Sequence, residues 1–131
     1  MFIDASALCA LLTSEDDARE LLARMQAHPI RMTSPVAIWE TVVNVARILD
    51  LPLSDIAQAV EDYLALMEIR VVAIPVEVTG LAIEAFERFG KGRHPARLNF
   101  GDCFAYACAC HYRKPLLYKG GDFALTDVEA A

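Results

Sequence analysis

The chain opens on a short apolar run, "MFID", interrupted at once by an acid. A run this short, without polar alternation, reads as a strand covered on both faces. Ser6 is a candidate cap for a helix over Ala7 to Leu12. The spacing then turns helical in "TSEDDARELLARMQAH", with acids in the first turn and Arg24 and His28 towards the end, where each complements the helix dipole. "IRMTS" predicts a second strand. In "SPVAIWETVVNVARIL", Ser34 sits at the N-cap and Pro35 at the first helical position, which marks a helix start. A proline-marked turn leads into the helix "LPLSDIAQAVEDYLALMEI". "RVVAI" is rich in β-branched residues and stops at Pro75, so it predicts a third strand. "PVEVTGLAIEAFERFG" predicts a helix closing at Gly90, and "KGRHPARLN" a polar, basic loop. Asn99 can cap the helix "FGDCFAYACACHYRK"; "PLLY" is a fourth strand, and "KGGDFALTDVE" a loop with room for one short element. Strands alternating with helices imply an α/β fold, a parallel sheet covered on both sides. The length of 131 residues fits one domain spanning 1–131.

Composition narrows the function classes. Twelve basic and eighteen acidic residues give a net charge of -6. That opposes bulk attraction to nucleic acid, while leaving room for a nucleic acid held by a local basic patch and a metal. The hydrophobic share is 56%, yet no apolar run reaches the length of a membrane span, roughly 18 residues. The start carries no basic region ahead of its apolar residues and Asp4 breaks it early, so we expect no signal peptide, no membrane association and a cytoplasmic protein. The apolar surplus implies a thick core or a face used for self-association. Of the four cysteines, Cys108 and Cys110 with His111 point about 100° apart per residue along a helix, too dispersed to converge on one ion. Small reduced core residues are the favoured reading over a zinc site.

Acids at particular places carry the candidate chemistry. In open parallel sheets, ligands bind outside the carboxyl ends of the strands. Asp4 ends the first strand and Asp122 follows the last, so both belong to that edge. Asp102 falls in the first turn of its helix, where the dipole favours the ionised form and keeps it a ligand rather than a proton carrier. Glu40 sits in the apolar context "VAIWETVVNV" and shares a face with Val36, Val43 and Arg47 by spacing. Singly, each has an ordinary alternative: Asp4 as a helix cap, Glu40 as an exposed helix acid, Asp102 as a capping residue, Asp122 and Asp127 as turn acids. Together they would repel by roughly 4 kcal/mol per pair at about 4 Å and an effective dielectric near 20. A shared divalent ion, or raised pKa values, would relieve that. Oxygen-only ligands select Mg²⁺ or Mn²⁺, an ion suited to phosphodiester hydrolysis.

"FIDASAL", the acid in "SPVAIWETV", "GRHPARLNFGDCFAYACA" and "KGGDFALTDV" together resemble PIN-domain ribonucleases, specifically the VapC toxin branch of type II toxin–antitoxin systems. The likeness spans nearly the whole chain in the same order and spacing. It implies a PIN-like three-layer fold, with a short central parallel sheet of about four to five strands flanked by helices. It also implies a Mg²⁺-dependent endoribonuclease, Mn²⁺ being a possible substitute, that is homodimeric and neutralised by a VapB-type antitoxin. Such an antitoxin would insert a helix and place a basic residue among the acids. By this resemblance the catalytic acids are Asp4, Glu40, Asp102 and Asp122. Asp4 and Asp102 are the principal metal ligands, Glu40 completes the shell or orients water, and Asp122 supports a second or weaker metal position. Ser6, Asn99 and Asp127 would support them. Many relatives carry an acid two residues before the "DF" pair; here that position is Gly120, so Asp122 or Asp127 would have to substitute, or the site holds one ion.

Lys91, Arg93 and Arg97, with Lys119 beside the other site loop, are the candidate RNA-contacting cations, against an ordinary solvated loop. Ile38, Trp39, Val42 and Leu49 form an apolar stripe beside Glu40 that reads as core, with a dimer face or an antitoxin groove as the alternative. Two other hydrolytic or phosphoacceptor classes fit less well. A haloacid-dehalogenase-like phosphatase needs a second Asp where Ser6 stands. A receiver domain needs an Asp ending a central strand, and "RVVAIP" has none. A catalytically impaired module on the same fold, binding RNA or protein, is the remaining alternative.

Overall fold

The computed structural model describes residues 1–131. Four short strands, β1 (Phe2–Ile3), β2 (Arg31–Thr33), β3 (Ile69–Val71) and β4 (Leu116–Leu117), are joined by six helices. These are α1 (Ala5–Leu12), α2 (Ala18–Gln26), α3 (Pro35–Leu49), α4 (Leu53–Leu66), α5 (Val78–Phe89) and α6 (Phe100–Tyr112). A 3-10 turn at Phe123–Leu125 follows. The sheet is wholly parallel in the order β3-β2-β1-β4. The chain therefore builds outward from β1 to β3 and then crosses back to set β4 on the other side of β1. That reversal makes the carboxyl ends of β1 and β4 the topological switch point, where such sheets form their binding crevice.

Strands this short persist because both faces are covered. Phe2 pairs in register with Leu116 and Ile3 with Leu117. Side chains alternate across a strand, so Phe2 and Leu116 join a core under α5 and α6, while Ile3 and Leu117 join a second core under α1 to α4. Three layers result. α6 is buried nearly all round, and its Gly101, Ala105, Ala107, Cys108 and Ala109 are small enough to let it lie close to its neighbours. Cys9, Cys103 and Cys108 are buried and Cys110 is exposed.

Several boundaries differ from the sequence reading. The first helix starts at Ala5 with Asp4, not Ser6, as its cap. Residues 13–17 form a turn rather than the start of the second helix: Ser14 adopts a left-handed φ of 55°, and the Thr13 hydroxyl donates to the Cys9 carbonyl, ending α1. The third strand lies at Ile69–Val71, and the backbone leaves the sheet before Pro75, with the Ala73 carbonyl accepting from Tyr112 Oη. Ser34 and Asn99 cap α3 and α6 as their sequence positions predict. No helix is long and apolar enough to cross a membrane.

Candidate active site at the switch point

Asp4 leaves β1 in an extended conformation and caps α1. Its Oδ2 accepts from Ser6 N at 2.9 Å and from Ser6 Oγ at 2.5 Å. Ser6 Oγ in turn accepts from Lys119 N at 3.0 Å, tying the end of β1 to the loop after β4. Asp4 is thus both cap and site acid. It is 3% exposed, and burial pushes its carboxyl above the ordinary aspartate range, against the hydrogen bonds from Ser6 and the backbone that favour its charge.

Asp102 comes in on α6. It forms a capping box with Asn99: Asp102 N donates to Asn99 Oδ1 at 3.1 Å, and Asn99 N donates to Asp102 Oδ2 at 2.8 Å. Its pKa is raised to about 6, first by burial, with the charges of Asp4 and Asp122 adding to it and the Asn99 backbone opposing. Burial thus works against the helix end, which favours the ionised carboxylate. Glu40 is half-buried on α3, beside the buried line Ala37, Thr41 and Val45 rather than on it. Burial, then Asp4, then Asp102, raise its pKa to about 7. Asp122, exposed in the loop after β4, is held near Asp102 by the buried Phe123 that follows it.

Four acids from four elements thus share one electrostatic field. None of the chain's ion pairs involves any of them. No three His, Cys, Asp or Glu side chains stand close enough together to hold a metal ion between them. The donor set, oxygen-only and without a neutralising cation, nonetheless fits a hard divalent ion of the kind bound through one or two carboxylates and water.

Gly101 is a residue whose role here the sequence reading missed. A Cβ at this position would overlap Glu40 Oε2 and lie 3.0 Å from Glu40 Cδ. The absent side chain is what admits the Glu40 carboxylate beside α6. Glu40 lines a cavity of about 210 Å³ with Val36, Trp39, Asn99, Phe100 and Gly101. Trp39, expected as core, is 67% exposed at its mouth, and Leu49 is also exposed.

One expected supporting residue, Asp127, and one expected RNA contact, Lys119, are placed elsewhere. Asp127 accepts from Tyr106 Oη at 2.6 Å and pairs with Arg88 Nη2 at 2.5 Å, fastening the C-terminal segment to α5 and α6 instead of joining the acids. Lys119 is engaged by Glu15 and, at 3.2 Å, by Asp17, so its ammonium anchors the loop after β4 to the turn before α2 rather than standing free for RNA. Lys91, Arg93 and Arg97 remain exposed.

This fold and these acids define a class. The PIN domain family matches residues 1–129, and the chain belongs to that family. Within it the chain falls in the VapC branch. It is 39% identical to a "Ribonuclease VapC" of Mycolicibacterium smegmatis, over 99% of this chain and 98% of that protein. It is 37% identical to "Ribonuclease VapC30" of Mycobacterium tuberculosis, over 98% and 95% respectively. Among solved structures, M. tuberculosis VapC20, described as a sarcin-ricin loop cleaving toxin, superposes with a TM-score of 0.75 at 22% identity, covering 99% of this chain and 97% of that one. A toxin–antitoxin complex from Klebsiella pneumoniae gives 0.70 at 18% identity, covering 99% and 95%. Both share the fold.

Proposed function

We propose that this chain is a Mg²⁺-dependent endoribonuclease, with Mn²⁺ as an alternative ion, and the toxin half of a VapBC-type pair. The observation that carries this reading is the charge at the switch point: Asp4 and Asp102 act on Glu40, Asp4 and Asp122 act on Asp102, and none of the four is in an ion pair. When bound, the ion supplies charge compensation to a phosphodiester and makes water more acidic. Ser6 holds Asp4 Oδ2 and Asn99 holds Asp102 Oδ2, so the second oxygen of each is the one offered to a cation. Glu40, half-buried beside Asp4 and Asp102, is the carboxylate placed to take a proton from an attacking water. Asp122 adds negative charge from the opposite loop and supports a weaker ion position.

The names of the relatives and the toxin–antitoxin complex among the fold's neighbours support an antitoxin partner. The acids at the switch point suit a basic antitoxin side chain. The apolar groove between α5 and α6, lined by Ile83, Phe86, Phe100 and Phe104 among others, suits a second copy of the chain.

The decisive experiment incubates purified protein with RNA in Mg²⁺, in Mn²⁺ and in chelator, and reads the same sample by sedimentation. We expect a dimer that cleaves internally with either ion and loses about 10³-fold in rate in chelator. Equal cleavage in chelator overturns the reading. A metal-induced stabilisation without cleavage would point instead to the impaired module, which Gly120 in place of an acid favours.

Gly101→Ala tests the Glu40 seat. The clash falls on the far end of a flexible side chain, and Ala suits a helix better than Gly by about 1 kcal/mol. The fold should survive with its melting temperature unchanged or higher, while cleavage falls about 10- to 100-fold, the scale of disturbing a group that supports a metal site. An unchanged cleavage rate would show that the position of Glu40 is immaterial.

A further inference from the structure

An enzyme of net charge -6 whose site is a cluster of acids must still hold a polyanion. The chain's cations show where it does so. Of twelve Lys and Arg side chains, five are committed within the fold. Arg24 serves the Ala131 carbonyl and Glu20; Arg31 serves three backbone carbonyls; Arg47 serves Asn44; Arg88 serves Asp127 and Glu84; Lys119 serves Glu15 and Asp17. Arg113 and Lys114 precede β4, at the sheet edge opposite the acids. Arg19 and Arg70 stand singly on α2 and β3. Lys91, Arg93 and Arg97 are the free cations that cluster on the acids' side of the chain, in the loop that delivers α6 and Asp102.

We propose that this loop is the phosphate-binding subsite for the RNA strand flanking the scissile bond, with Lys91, Arg93 and Arg97 as its contacts. The inference rests on the ribonuclease reading and names the residues that hold its substrate. The loop walls a cavity of about 480 Å³ formed by Lys91, Gly92, Arg93, His94, Pro95 and Arg97, with no acid among them. It is built rather than slack. Lys91 N donates to the Leu98 carbonyl at 3.0 Å and Leu98 N to the Phe89 carbonyl at 2.9 Å, closing its base. Arg93 N and His94 N both donate to the Gly90 carbonyl. Ala96 and Leu98 are fully buried anchors. Ala96 N donates to His94 Nδ1 at 3.1 Å, so that nitrogen carries no proton and the ring offers its Nε2–H as a further donor. The His94 ring meets Phe89 edge-on at 5.3 Å, and the Arg93 guanidinium lies over Phe86 at 5.7 Å. A subsite ordered before binding loses little conformational entropy on capturing phosphate.

Position ties the loop to the acids. Arg97 is five residues before Asp102, a backbone path of at most about 18 Å. A single strand of a few nucleotides, with one phosphate at the acids, passes the loop. The loop also offsets the repulsion between that strand and the carboxylates.

The test uses the full chain carrying Asp102→Asn, which cannot turn over RNA, and a labelled oligouridylate, with affinity measured across a salt series. A companion protein adds Lys91→Gln, Arg93→Gln and Arg97→Asn; Asn suits the left-handed φ of 54° at that position. Each phosphate contact on a single strand contributes about 0.7 to the slope of log affinity against log salt, so the companion should lose about 2. In the catalytically intact background the three changes should raise KM for RNA at least tenfold with kcat and the Mn²⁺-induced Tm shift unchanged, and Arg93→Lys should keep the slope. An unchanged slope overturns the proposal, as does weakened capture of an antitoxin by the companion with RNA affinity intact, which would make the loop a protein contact. If the wild type binds RNA with a slope that depends on the loop but cleaves nothing in Mg²⁺ or Mn²⁺, the ribonuclease reading falls and the subsite stands.

Discussion

Asp4→Asn is expected to give a folded protein, no less stable at neutral pH than the parent, whose RNA cleavage is lower by about 10³-fold or more, the scale of removing one preorganised electrostatic group from an active site. The two halves of this expectation come from two jobs done by one side chain. As the cap of α1, Asp4 accepts from Ser6 N and Ser6 Oγ through Oδ2. Asn caps as well as Asp does, and its carbonyl oxygen can take the place of Oδ2. As a site acid, Asp4 carries a buried charge with no basic partner, and its replacement removes that cost. Only the oxygen offered to a cation is lost. Asp4→Ala would behave differently: the cap would go too, at about 1 kcal/mol. Cleavage rate and thermal melting on the same preparations check this. Retention of more than a tenth of the parent activity in Asp4→Asn would remove the residue from the mechanism, and a collapsed fold would show that the charge, rather than the cap, holds the start of α1.

The comparison of Asp4 with Asp127 shows what a sequence discloses and what it withholds. Local rules place an element's start well when the deciding group is local. Ser34 and Asn99 are caps because each hydrogen bond closes over three residues, so α3 and α6 begin where their sequence predicts. Position in the strand order placed Asp4 and Asp122 on one edge, since any residue just past a parallel strand lies there. Residues whose partners are remote resist this reasoning. Glu15 and Asp17 look like the acids of a first helical turn, yet Lys119, about a hundred residues on, draws Glu15 into an ion pair and the helix starts later. Asp127 resembles its neighbour Asp122 in the sequence, but Arg88 and Tyr106 take it. Gly101 reads as a helix weakness until Glu40, from another helix, is seen to occupy the space its side chain would fill. The exposed Trp39 carries the same lesson on the apolar side: its spacing matches a buried stripe, but the line that faces the core is Ala37, Thr41 and Val45.

The metal-free protein is expected to lose thermal stability as pH rises from about 4 to above 7, with Mn²⁺ or Mg²⁺ restoring it most at the alkaline end. In the folded chain Asp102 ionises near pH 6 and Glu40 near pH 7, and Asp4 is raised as well. In the unfolded chain all three ionise near pH 4, about the ordinary value for carboxyl groups. Between those limits the folded state holds more protons than the unfolded one, so its relative stability falls as protons leave. The contribution of these acids is complete below about pH 4 and is lost as pH passes through 6 and 7. Asp127, held ionised by Tyr106 and Arg88, has the opposite sign: its contribution is present at neutral pH and is lost as pH falls below its ordinary range. The two effects together put the stability maximum of the metal-free chain on the acid side of neutrality. A divalent ion competes with the protons for the same oxygens. At 100-fold excess over its dissociation constant it adds about 2.7 kcal/mol, roughly 10 °C for a chain of this size at about 4 °C per kcal/mol. That gain should be large at pH 7.5 and small at pH 5, and Asp102→Asn should reduce both the decline with pH and the response to metal. Melting curves across pH, with and without Mn²⁺, read all of this without any RNA. A metal response that does not vary with pH would mean that the ion binds elsewhere. A metal-free stability that rises through neutrality would mean that these carboxylates are neutralised by something other than a shared cation.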